Sequence, residues 1–143
     1  MRPTDERRRS SSSWLQAYAR SLFEAKTDRE VAEALLDAAC ALAPQGGAVY
    51  RSVARIAATG GGLTMPRVLD PGATNGHLVL ESHDLVLVAD TVPHVAGSTV
   101  GDTLRDMVDL AGTALEAIER RGEMRTRLRA LARRVDEGGN SRS

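Results

Sequence analysis

The stretch His77-Leu-Val-Leu-Glu-Ser-His-Asp-Leu-Val-Leu-Val-Ala-Asp90 decides the fold class. It holds two short runs rich in Leu and Val, 77–82 and 85–90, joined at Ser82-His83-Asp84. Runs of that length so close together read as an antiparallel hairpin. Upstream, Ala48-Val-Tyr-Arg-Ser-Val-Ala54 reads as a strand over about 47 to 54, and Arg55-Ile-Ala-Ala-Thr59 as a second strand or its continuation. Gly60-Gly-Gly62 breaks the chain. Residues 63–69, LTMPRVL, fit a short edge strand, because Pro66 cannot donate to a central ladder. Asp70-Pro-Gly72 and Thr74-Asn-Gly76 are turn signals.

Outside the strands the period changes. Ser12 or Ser13 can cap a first helix over 13–25, with Trp14, Leu15, Tyr18, Leu22 and Phe23 at helical spacing. Thr27-Asp-Arg-Glu30 is a capping box. It opens a second helix over 28–43, with Val31, Ala34, Leu35, Ala38 and Leu42 on one face, stopped by Pro44 and Gly46-Gly47. After Pro93 and Gly97-Ser98, either Ser98 or Thr99 can cap a last helix that runs to about 137. Helices at both chain ends with strands in series between them predict an α+β fold with an antiparallel sheet, not alternating βαβ units.

The last helix is longer than its domain needs. Leu110, Ala114, Ala117, Met124, Leu128, Leu131 and Val135 recur at three- and four-residue steps, and Arg121 fills the one seam position that is not apolar. Such a stripe buries itself on another helix. A second apolar line through Leu104, Met107 and Leu115 marks residues 99 to about 118 as the domain's own closing helix. The expected organisation is a polar tail over 1–12, a domain over 13–121, a helical extension over 122–137 and a polar tail over 138–143. Arg121 and Gly122 stand at the join.

Composition narrows the function. The chain has 143 residues, 42% apolar but only 3% aromatic, so its core is built from Ala, Val and Leu. A thin core of that kind gains from further burial at a subunit interface. Formal net charge is zero, and residues 1–13, 14–99 and 100–143 carry +2, −3 and +1. No domain-scale basic field favours nucleic acid. Arg120 to Arg134 is locally net +6, with seven arginines and Glu123. It can flank a coiled-coil seam, meet an acidic partner or touch a nucleic-acid backbone. No apolar run is long enough to cross a membrane or to serve as a signal peptide behind Arg7-Arg8-Arg9. A cytoplasmic location is expected.

Four segments resemble a GAF domain: the paired opening helices through Thr27-Asp-Arg-Glu-Val-Ala-Glu-Ala-Leu-Leu36, the strand Gly47-Ala-Val-Tyr-Arg51, the late hairpin, and the closing helix from Leu104 to Arg120. The resemblance implies a central antiparallel sheet with a ligand pocket on one face. On the other face it implies first and last helices that form a helical dimer interface. The expected ligand residues are Tyr50, Arg51, Met65 and Arg67. The expected interface sets Trp14, Leu15, Tyr18 and Leu22 against Leu104, Met107, Ala111 and Leu115 of the same or the other subunit, and continues through Met124, Leu128 and Leu131. Where GAF domains insert helices and loops as a pocket lid, this chain has only the eighteen residues Thr59 to Gly76. Cys40 falls on the second helix, away from any chromophore-attaching position.

The remaining side chains suggest no catalysis. His77, His83 and His94 sit at strand ends and a turn, and His77 and His83 are roughly 20 Å apart along an extended strand, so no shared metal site is expected. Gly60-Gly-Gly62 lacks the Gly-Lys-Ser/Thr that follows a phosphate loop. Cys40, beside Ala38, Ala39 and Leu42, is expected in the core. Asp102, Asp106 and Asp109 complement the dipole of the last helix. The sequence reads as a non-enzymatic sensory or regulatory module. It is expected to be a homodimer with a signalling partner, needing no cofactor. The competing reading is a transcriptional or nucleic-acid-linked regulator using Arg120–Arg134.

Overall fold

The computed structural model describes residues 3–43, 45–74, 77–89 and 99–140, with side chains from Trp14 to Gly138 within those ranges. The elements run α1 (Pro3–Glu24), α2 (Asp28–Ala39), β1 (Gly46–Arg51), β2 (Ala54–Gly60), β3 (Leu78–Ser82), β4 (Leu85–Ala89) and α3 (Thr99–Asn140). The fold is α+β, with one antiparallel sheet in the order β2-β1-β4-β3. Both hairpins close in two residues. Ser52 and His83 take positive φ there, 56° and 53°, as tight two-residue turns require, and the β1–β2 register shifts between Val49 and Tyr50.

Alternation sorts the strand residues onto two faces. Val49, Leu85, Leu87, Ala89 and Leu80 join Leu22, Val31, Leu35, Leu36, Leu104, Met107, Val108, Ala111 and Leu115 in the main core. All three helices lie on that side. The opposite face carries a smaller core of Ala48, Tyr50, Met65, Val86 and Val88. A 3-10 turn over Gly61–Thr64 covers part of it. Gly62 lies so close to β1 that a Cβ there would overlap the Gly47 carbonyl. Arg55 holds the turn down. Its Nη1 donates to the carbonyls of Met65 at 2.7 Å and Leu63 at 3.3 Å. Tyr50 Oη donates to the Pro66 carbonyl at 2.6 Å.

Several boundaries differ from the sequence reading. Residues 63–69 form no strand beyond a single bridge of Val68 to Ala54. Gly61 and Gly62 tighten the chain into the 3-10 turn first, and Pro66 withholds a donor. Helix α1 starts at Pro3, ten residues ahead of the serine caps, because Glu6 and Arg7 to Arg9 are themselves good helix formers. Helix α3 continues to Asn140. Cys40 is exposed, since α2 ends at Ala39 and turns it outward. The Thr27 cap is as expected: Thr27 Oγ1 accepts from Glu30 N at 3.2 Å, and Glu30 Oε2 accepts from Lys26 N at 2.6 Å. The Pro44 helix stop, the Asn75-Gly76 turn, Asp90, the Pro93 and Gly97-Ser98 breaks and His94 lie outside the described residues.

Candidate functional site

The residues expected at a dimer interface divide into two groups. Tyr18, Leu22, Leu104, Met107, Ala111 and Leu115 are all buried in the chain's own core. Tyr18 Oη donates to the Met107 carbonyl at 2.6 Å, so α1 meets α3 within one subunit. Trp14 packs against the edge of the same core. These seven side chains are used by the fold itself. Of the aromatic residues of α1, Tyr18 is buried and Trp14 covers the core's edge.

Met124, Leu128 and Leu131 are the second group, at 63%, 57% and 57% exposed, and Val135 is 65% exposed. Every residue from Glu119 to Gly138 is exposed. The helix overruns the domain by about 20 residues, roughly 30 Å at 1.5 Å per residue. The stripe does not stop at the join. Leu110 is 51% exposed and Ala117 is exposed, while Ala114 is half-buried against the core. The stripe therefore runs from Leu110 to Val135, open at Leu110 and from Ala117 outward and half-covered by the core at Ala114. Leu15 on α1 is also 40% exposed, and Phe23 is 85% exposed at the end of that helix. Phe23 does not share the buried face of α1. Its place next to the buried Leu22, 100° further round, turns it to solvent.

Charges on α3 change along its length. Near the domain, Glu116 pairs with Arg120, and His83 Nε2 lies 3.7 Å from Glu116 Oε2. Glu119 pairs with Arg51, which also binds Asp28 at 2.9 Å. The Asp28 hydrogen bond is the main reason the Arg51 guanidinium is held above its usual proton affinity. Further out, Arg125, Arg127, Arg129, Arg133 and Arg134 have no carboxylate partner among the described residues. Arg121, Arg125, Arg129 and Arg133 succeed one another at four-residue spacing, each like pair costing a few tenths of a kcal/mol. This half of α3 is apolar on one line and uncompensated cation on its flanks.

The four expected ligand residues do not converge. Tyr50 and Met65 are packed together in the smaller core. Burial raises the Tyr50 phenol above its ordinary range, partly offset by the Arg55 charge. Arg51 points to the opposite face, into its ion pairs with α2 and α3. Adjacent strand residues face opposite ways, so Tyr50 and Arg51 cannot line one pocket. Arg67 lies on an open groove of about 550 Å³ at the β2 edge, with Arg29, Arg55, Ile56, Ala57 and Leu63. Two of its three arginines are engaged: Arg55 with carbonyls and Arg29 with Glu33 at 3.1 Å. Arg55 was missed from sequence, although an arginine at the start of an edge strand before three glycines is placed to satisfy loop carbonyls.

Among the described residues, no three His, Cys, Asp or Glu side chains gather as a metal ion requires, and no helix is long and apolar enough to cross a membrane. No protein-family model, curated protein or solved structure matches the chain.

Proposed function

We propose that this chain is a non-enzymatic regulatory module of GAF-like organisation that homodimerises through α3. The supporting observation is the exposed line of Leu110, Met124, Leu128, Leu131 and Val135 on a helix that outruns its own core. Each large side chain moved from water into a helix–helix seam gains about 1.5–3 kcal/mol. Two copies of the line supply enough to offset the cost of association. The domain fixes the direction of the helix, and the dimer carries that direction onward. Ligand binding on the sheet is not part of the proposal, because Tyr50 and Met65 are occupied in packing. Sedimentation of the full chain beside its Leu128→Glu variant tests the reading. The native chain should sediment as a dimer and the variant as a monomer.

A second reading is favoured by the five arginines from Arg125 to Arg134 that have no carboxylate partner among the described residues. Here the extension lies along a nucleic-acid backbone as part of a transcriptional or nucleic-acid-linked regulator. It requires duplex binding that weakens steeply with salt. A gel shift at low salt that shows no complex disposes of it.

A further inference from the structure

We infer that the two α3 helices of the dimer run antiparallel, with the twofold axis between Gly122 and Glu123, so that each distal half lies on the other copy's proximal half. The inference rests on the proposed homodimer and adds its orientation and register.

Side-chain size carries the first part of the argument. The seam has small residues in its proximal half, Ala114 and Ala117, and large ones in its distal half, Leu128 and Leu131. Parallel in-register helices place each residue on its own copy. Alanine then meets alanine in two successive layers and leaves voids, while the two Arg121 side chains meet inside the seam. Antiparallel helices about the stated axis place Leu110 on the partner's Val135, Ala114 on the partner's Leu131 and Ala117 on the partner's Leu128. Both alanine layers then meet a leucine, as close packing requires. Arg121 then lies beside the partner's Met124, whose flexible chain leaves the guanidinium a way out to water.

Charge carries the second part. One flank of the seam presents Arg120, Arg127 and Arg134, and the next line out presents Asp109, Glu116 and Glu123. In the antiparallel register each acid faces one arginine of the partner: Asp109 the partner's Arg134, Glu116 the partner's Arg127, Glu123 the partner's Arg120. The twofold repeats all three. Arg120 also faces the partner's Arg127, and Glu116 and Glu123 lie beside that contact to offset it. The parallel arrangement instead sets Arg120 against the partner's Arg125 with no acid between them. Exposure fits too. On the proximal surface that would receive the partner's tail, Asp109, Leu110, Thr113 and Ala117 are open to solvent and Ala114 is half-buried, while Ala111 and Leu115 beside them face the core.

Disulfide trapping in a Cys40→Ser background reads the orientation. Ala117→Cys and Leu128→Cys chains carrying different tags are co-expressed and mildly oxidised, and each is also oxidised alone. A disulfide needs Cα atoms within about 7 Å. Like positions in the antiparallel dimer are eleven residues apart along the axis, about 16 Å. The expected result is a cross-link between the two differently tagged chains and none in either variant alone. Cross-linking of Leu128→Cys with itself overturns the antiparallel register. So does a sedimenting dimer in which the mixed pair stays unlinked. A chain that sediments as a monomer overturns the homodimer itself, which separates that failure from an error of orientation.

Discussion

Tyr18 on α1 and Met107 on α3 lie 89 residues apart and are joined by a 2.6 Å hydrogen bond from the phenol to the main-chain carbonyl. That bond fastens the first helix to the last inside the core. Tyr18→Phe keeps the ring and removes the bond, so it should destabilise the chain by about 1 kcal/mol. Urea denaturation checks this. An unchanged midpoint would mean that α1 contributes packing alone.

Both tyrosines of the chain are buried and hydrogen-bonded to carbonyls. Burial raises both phenols above the ordinary value of 10.0. The unfolded chain therefore loses phenolic protons at a lower pH than the native chain does. Stability is fully present below about pH 10 and falls as pH rises further. Tyrosinate absorbance should stay flat past pH 10 and then rise together with loss of helical circular dichroism. A smooth titration centred near pH 10 in the folded chain would contradict the buried placement.

Gly62→Ala should cost about 1–3 kcal/mol, because the added methyl overlaps a main-chain carbonyl and not a mobile side chain. Gly122→Ala meets nothing within 4 Å and should be neutral or stabilising, by up to about 1 kcal/mol. Thermal melts of the two variants compare a glycine required by contact with one that is not.

Arg51→Gln removes two ion pairs that solvent reaches, since Arg51, Asp28 and Glu119 side chains are 36%, 30% and 42% exposed. The expected loss is below about 1 kcal/mol, and smaller still at high salt. A loss of several kcal/mol, insensitive to salt, would assign Arg51 a deeper role than tying α2 to α3.

The fold class was legible because its signals were local. The hairpin at Ser82-His83-Asp84, the Thr27 capping box and the apolar lines of α2 and α3 each specify an element from a few neighbouring residues. The division of the apolar residues between core and open surface was not legible. Leu115 and Leu128 are the same residue type on the same helix, and only the end of the sheet and of α2 leaves one covered and the other bare. The pairing of Tyr50 with Met65, and the separation of both from Arg51, depended on strand alternation combined with the path of residues 61–69. A glycine-rich segment carries little pattern from which to read that path.

In the proposed dimer the exposed stripe of α3 receives a second copy of the chain. Sedimentation equilibrium of the native chain and of Leu128→Glu, at equal concentration and moderate salt, tests it most directly. The expected result is twice the chain mass for the native protein and a dissociation constant raised roughly tenfold or more in the variant, with unchanged helical circular dichroism. A native chain that stays monomeric, or a variant that associates as tightly as the native chain, would contradict it.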